Sequence, residues 1–197
     1  MLGFLLFVFL TFFLIKKLNE VLGTRTGFYA GRPEGGAFEN VIRESTVSET
    51  DKKLSKIKTI CPSFDPDDFL DKARKAFEMI FTAYSEEDLK TLRTLLSPRI
   101  FQAFSMAIDD RKKRNETLEG VLVRFVNVEI TGADVTDDGL FVDVKFETEQ
   151  SNVLKSKEGT ILEGNADFVE NCSEIWSFSR KKTSADSRWY LYEIKSE

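Results

Sequence analysis

The hydrophobic positions change their spacing twice along the chain, from an unbroken apolar run, through helical spacing, to alternation. The helical part is clearest between Phe69 and Tyr84. Phe69, Leu70, Ala73, Ala76, Phe77, Ile80, Phe81 and Tyr84 form one wide stripe, with Asp71, Lys72, Arg74, Lys75, Glu78 and Thr82 on the other side. Asp65-Pro66-Asp67-Asp68 marks its start: an Asp cap, a proline suited to the first turn, and carboxylates on the positive end of the helix dipole. Glu86-Glu87-Asp88 opens a shorter helix with Leu89, Leu92, Leu95 and Leu96 on one face. Ser97-Pro98 caps and starts a third, whose buried side is Ile100, Phe101, Phe104, Ala107 and Ile108. Its end, Asp109 to Arg114, reads as a solvated terminus matched to the dipole, the alternative being a patch for phosphate or lipid headgroups.

From Val121 the period is two. Val121, Val123 and Phe125 share one phase, and Val126, Val128 and Ile130 the other. The slip predicts a β-bulge near Phe125 or Val126, which would bend a sheet around the central helix. After a turn at Asp137-Asp138-Gly139, Leu140, Val142, Val144 and Phe146 alternate with Phe141, Asp143, Lys145 and Glu147. Gly159 and Gly164 punctuate a hairpin near Lys155 to Glu163. A long strand runs through Ile175 to Arg180, a polar turn covers Lys181 to Ser187, and the last strand is Trp189 to Ile194. Helices followed by antiparallel strands predict an α+β domain with the helices on one face of the sheet. Phe141 and Ile175 are out of phase with their buried neighbours, which makes them candidate protein-contact residues. The alternative is that the preceding linker or a second copy covers them.

The start of the chain is different in kind. Met1 to Ile15 is apolar except for Thr11, and Lys16, Lys17, Arg25 and Arg32 follow it with only Glu20 against them. Counted to Leu18, with the lysines snorkelling, the run would span about 27 Å as a helix, close to the thickness of a bilayer core. There is no basic region before the run and no small-residue cleavage site after it, so it reads as an anchor and not as a signal peptide. The charge asymmetry places the N-terminus outside and the remainder in the cytoplasm, with Lys16, Lys17 and Arg25 at the membrane interface. A flexible tether is expected over residues 23–62, rich in glycine around Pro33, with a short helix between Thr50 and Ile60 using Leu54, Ile57 and Ile60. The organisation expected is therefore an anchor at 1–22, a tether at 23–62 and a folded domain at 63–197.

Composition narrows the chemistry. Phenylalanine occurs 18 times and histidine not at all, which removes the commonest general base and metal ligand. Cys61 and Cys172 are far apart, which argues for a reducing compartment over a disulfide framework. A net charge of -5 argues against nucleic acid as a partner. There is no P-loop, dinucleotide fingerprint or Cys/His metal spacing. No catalytic residue, metal ligand or cofactor is expected. Trp176 and Trp189 read as core aromatics, with ligand contact as the alternative.

Several of these stretches, in this order, resemble the Tim44-like family. They are Ser63 to Leu70 with Ala73 to Ile80, Leu89 to Leu96 with Ser97-Pro98, the Gly159 and Gly164 spacing, Glu174 to Arg180, and Trp189-Tyr190-Leu191. Leu22-Gly23-Thr24-Arg25-Thr26-Gly27 after one apolar span is similar to short bacterial members. The resemblance implies a cone-like domain of the nuclear-transport-factor-two type, with a bent antiparallel sheet wrapped around a long helix. It implies a candidate pocket inside the cone lined by Phe77, Phe81, Phe104 and Trp176. Mitochondrial members are scaffolds of an inner-membrane protein-import motor. This chain departs from them in lacking their long N-terminal region, which places recruitment of a DnaK-type chaperone in doubt. The function expected is a membrane-tethered scaffold facing the cytoplasm of a bacterial inner membrane, with a partner in protein translocation or membrane-protein biogenesis. The alternative is a domain binding lipid or a small hydrophobic ligand.

Overall fold

A computed structural model describes residues 49–182 and 188–196. The apolar run, Lys16, Lys17, Arg25 and the tether as far as residue 48 lie outside the described residues. Among the described residues no helix is long and apolar enough to cross a membrane.

Residues 49–60 are helical (α1). Leu54 packs against the core and Ile57 is fully buried, while Ile60 is exposed. The folded unit therefore begins before Ser63, a correction to the boundary drawn from sequence. The reason is that Leu54, Ile57 and Cys61 supply one apolar face to a stretch otherwise rich in charge, and that face finds the domain.

Helix α2 spans Pro66–Ser85. The Asp65 carboxylate accepts from the backbone N–H groups of Asp67 and Asp68, both at 3.1 Å, and Pro66 fills the first turn where its missing N–H costs nothing. Phe69, Ala73, Phe77, Ile80 and Tyr84 are buried, as the stripe requires, and Ala83 joins them. Helix α3 is Leu89–Leu95, capped by Asp88, and α4 is Pro98–Lys113, capped by Ser97. The Ser97 N–H donates to the Leu191 carbonyl at 2.9 Å, which ties the start of α4 to the last strand.

The end of α4 differs from the expected solvated terminus. Arg111 is buried, with its guanidinium donating to the Tyr84 carbonyl at 2.8 Å and lying 4.9 Å from the centre of the Tyr84 ring. Its Nε is 3.5 Å from the Glu87 carboxylate, too poorly aligned for a hydrogen bond. Lys112 reaches the same carboxylate at 3.2 Å. Glu87 holds a left-handed backbone conformation, φ 61°, between α2 and α3, and the two cations meet its side chain there.

The strands are β1 (Thr117–Val135), β2 (Leu140–Lys155), β3 (Ile161–Gly164), β4 (Glu170–Arg180) and β5 (Tyr190–Ser196). They form one antiparallel sheet in the order β1-β2-β4-β5, and β3 pairs with β2 past Gln150, where the pairing of β2 with the start of β4 stops. β1 carries register shifts at Leu122/Arg124, Phe125/Asn127 and Ile130/Gly132. The second is the expected bulge. The first and second together turn Leu122, Phe125 and Val128 toward the core and leave Val121, Val123 and Val126 exposed. Leu140, Val142, Val144 and Phe146 face inward along β2, and Trp176 and Phe178 lie beside them on β4.

Candidate functional site

The interior is organised on Phe77. Its ring centre lies 4.5 Å from Trp176, 4.8 Å from Phe146 and 5.5 Å from Phe125, so one residue of α2 meets β4, β2 and β1 together. Phe81 stacks on Phe77 at 6.3 Å, one helical turn on. Three of the four expected pocket residues, Phe77, Phe81 and Trp176, are thus brought together, with their rings in contact. Phe104 is elsewhere. It projects from α4 and sits 5.0 Å from Tyr84, because α4 packs on the C-terminal end of α2 and not on the sheet centre.

Beyond Phe146 and Trp176 the inward face turns polar. Thr148 and Gln150 on β2 are buried, and the Gln150 amide donates to the Thr148 hydroxyl at 2.6 Å. Opposite them on β4 lie Cys172 and Glu170, with Glu174 next to Trp176. The Trp176 indole N–H donates to Glu174 Oε2 at 3.1 Å. Burial raises the Glu174 carboxyl above its ordinary range, against the smaller opposing effect of that hydrogen bond. Burial also pushes the Cys172 thiol up to about 12, helped by the charges of Glu174 and Glu170. Sequence reasoning passed over these residues, although stepping back by twos from Trp176 reaches Glu174, Cys172 and Glu170 in turn. That signal is weak because alternation is normally followed through apolar side chains.

The opposite face of the sheet carries Phe141 and Ile175. Both are half-buried. Ile175 lies between Lys145 on β2 and Lys195 on β5, each within ion-pair distance of a glutamate, Glu147 and Glu193 respectively. Phe141 packs edge-on against Tyr192, with ring centres 5.4 Å apart. The Ser177 hydroxyl donates to Asp143 at 2.5 Å, midway between the two apolar residues along the strands. Phe141 also borders a cleft of about 320 Å³ whose other wall includes Glu49, Thr50 and Lys53, so α1 approaches this residue.

A larger cavity, about 440 Å³, lies where the α1–α2 connection meets the end of β4. Phe64, Phe69, Phe178 and Trp189 provide its apolar wall, and Lys72, Arg180 and Arg188 bring cations to it beside Asp65 and Asp68. The Arg180 guanidinium donates to Cys61 Sγ at 2.8 Å. The polar turn that precedes Trp189 lies, over residues 183–187, outside the described residues. Among the described residues no group of acidic, cysteine or histidine side chains is arranged to hold a metal ion.

A profile of the Tim44-like domain matches residues 50–196. The mitochondrial import inner membrane translocase subunit TIM44-1 of Arabidopsis thaliana is 21% identical over 155 residues, which is 78% of this chain and 33% of that protein. The mouse mitochondrial import inner membrane translocase subunit TIM44 is 20% identical over 152 residues, 76% of this chain and 34% of that one. The uncharacterized protein RP434 of Rickettsia prowazekii is 23% identical over 158 residues, 80% of this chain and 65% of that protein. The match thus spans about a third of the mitochondrial relatives. Among solved structures, the intermembrane space region of the chloroplast protein ARC6 aligns with 68% of this chain and 98% of that one, at 13% identity and a TM-score of 0.49.

Proposed function

We infer from one premise, that the chain belongs to the Tim44-like domain family, a membrane-tethered scaffold and not an enzyme. Its work is to hold a protein of a translocation or membrane-protein biogenesis machinery close to the inner membrane. In this reading residues 1–22 are a single-pass anchor with the N-terminus outside, and the cone-like α+β domain stands in the cytoplasm. The observation that carries the reading is the filled interior. With Phe77 and Trp176 4.5 Å apart and both buried, a partner is met on the outside of the sheet, where Phe141, Tyr192 and Ile175 interrupt a charged face. A few apolar anchors of this kind dominate the energetics of protein interfaces. The kind of machinery is suggested by the mitochondrial relatives, whose names make them subunits of an import translocase.

Copurification tests the proposal with two variants, each first checked for cooperative unfolding. Phe141→Asp/Ile175→Asp should lose the protein partner and Trp176→Ala should keep it. Loss of bound lipid in the Trp176 variant alone would transfer the assignment to a lipid-binding domain. Retention of every partner by both folded variants would remove the proposed surface.

A further inference from the structure

The described part of the chain begins at Glu49, beside the outer face of the sheet. Glu49, Thr50 and Lys53 of α1 form one wall of the 320 Å³ cleft, and Phe141 and Asp143 of β2 stand opposite with residues 131–134 of β1. Phe141 packs edge-on against Tyr192, which is 38% exposed. Ile175 pairs with Lys145, four residues further along β2. The ionic groups around these three already have partners. Lys145 is 3.0 Å from Glu147, Lys195 is 3.2 Å from Glu193, and Asp143 accepts from the Ser177 hydroxyl. The face therefore offers an occupant apolar surface rather than charge. The sequence directly before Glu49 has the matching character. Between Gly36 and Glu49 it holds Phe38, Val41, Ile42 and Val47, and its only charged residues are Glu39, Arg43 and Glu44.

We propose that this face is occupied by the chain's own segment before α1, with Phe38, Val41 and Ile42 against Phe141, Tyr192 and Ile175. The reach is sufficient. Ile42 is seven residues from Glu49, about 23 Å at full extension. Phe141 and Ile175 are separated by about 13 Å along the strands and about 5 Å across them. A segment joined to the face through so few residues has an effective concentration in about the millimolar range. That favours it over a second copy, which must be recruited from solution or along the membrane. The consequence rests on the scaffold reading: a protein partner that uses Phe141 and Ile175 displaces the segment, and its apparent affinity is lowered by the fraction of molecules in which the face is covered.

The test puts a photo-cross-linking side chain on the face of the full-length protein, Tyr192→p-benzoylphenylalanine, and maps the products by trypsin digestion and peptide mass. Cross-links should join position 192 to the peptide 26–43 of the same molecule. Phe38→Asp/Val41→Asp/Ile42→Asp should lower their yield by at least about tenfold. Met79→p-benzoylphenylalanine carries the same probe at an exposed position of α2, the helix on the other face of the sheet, and should not form this product. Equal yields from the two positions, or no loss in the triple variant, would overturn the proposal. A mixture of light and isotopically heavy protein separates the sources. Products joining a light to a heavy chain would give the face to a second copy, and products with another protein alone would give it to that protein; either overturns the proposal. The scaffold reading fails separately. If Phe141→Asp/Ile175→Asp keeps every partner while the product within one molecule forms, the segment's place stands and the scaffold surface falls. If that variant loses its partner and the product is absent, the reverse holds.

Discussion

The indole N–H of Trp176 and the carboxylate of Glu174, two residues apart on β4, meet at 3.1 Å inside the domain. The pair marks the line where an aromatic interior gives way to a polar one. It also places an ionisable group where its charged form is disfavoured.

Stability should therefore depend on pH through Glu174. Its carboxyl is raised in the folded state, so over the window between its unfolded and folded values the folded protein holds more protons than the unfolded one. Stability is then greatest below the ordinary carboxyl range and falls as pH rises through the folded value. Glu174→Gln keeps an acceptor for Trp176 and removes the charge. The variant should be more stable than the parent at neutral pH and should lose this part of the pH dependence. Urea unfolding at several pH values measures both, and a variant less stable than the parent at neutral pH would show the carboxylate to be favourable.

Phe77→Ala should cost about 3–5 kcal/mol, because the residue is 1% exposed and its loss opens a space that Phe125, Phe146 and Trp176 surround from three strands. A loss below about 1 kcal/mol in chemical denaturation would mean that the surrounding rings collapse into the space.

Arg111 is held by position as well as by charge. Arg111→Ala would leave the Tyr84 carbonyl without its donor and Glu87 without one of its cations, at about 3 kcal/mol or more. Arg111→Lys should restore only a small part, because a single ammonium cannot both donate to the carbonyl and lie flat on the Tyr84 ring. Full recovery in the lysine variant would reduce the role of Arg111 to charge.

Two glycines of the β2–β3 hairpin should respond differently to alanine. Both have positive φ, 81° at Gly159 and 85° at Gly164. A Cβ at Gly159 would meet nothing within 4 Å, so its replacement costs about 1 kcal/mol of backbone strain. A Cβ at Gly164 would lie 2.0 Å from the Asn152 carbonyl oxygen, so β3 must separate from β2. Amide exchange at Val153 and Leu154 should accelerate in Gly164→Ala and stay near the parent rate in Gly159→Ala.

The α+β order, the stripe of α2, the caps at Asp65 and Ser97 and the hairpin at Gly159 were legible because each follows from local pattern or turn chemistry. Strand lengths were less legible for one physical reason. β2 and β4 extend past their apolar alternation, where Thr148, Gln150, Cys172 and Glu174 take inward positions that carry no hydrophobic signal. The first bulge of β1 was hidden for the opposite reason, since Val121, Leu122 and Val123 are apolar in both phases. Arg111 escaped notice inside a basic run whose other members, Lys112, Lys113 and Arg114, are exposed. The Cys61–Arg180 contact joins residues 119 positions apart and has no local signature.

The way α1 is fastened has a mechanical consequence. Tension entering the domain at residue 49 would first load this one helix, which is held through Leu54, Ile57 and the Cys61–Arg180 contact. Such a helix would peel away from its N-terminal end before α2 and the sheet are strained. A pull from the N-terminal side would then act as a graded release, lengthening the connection before the domain itself bears the force.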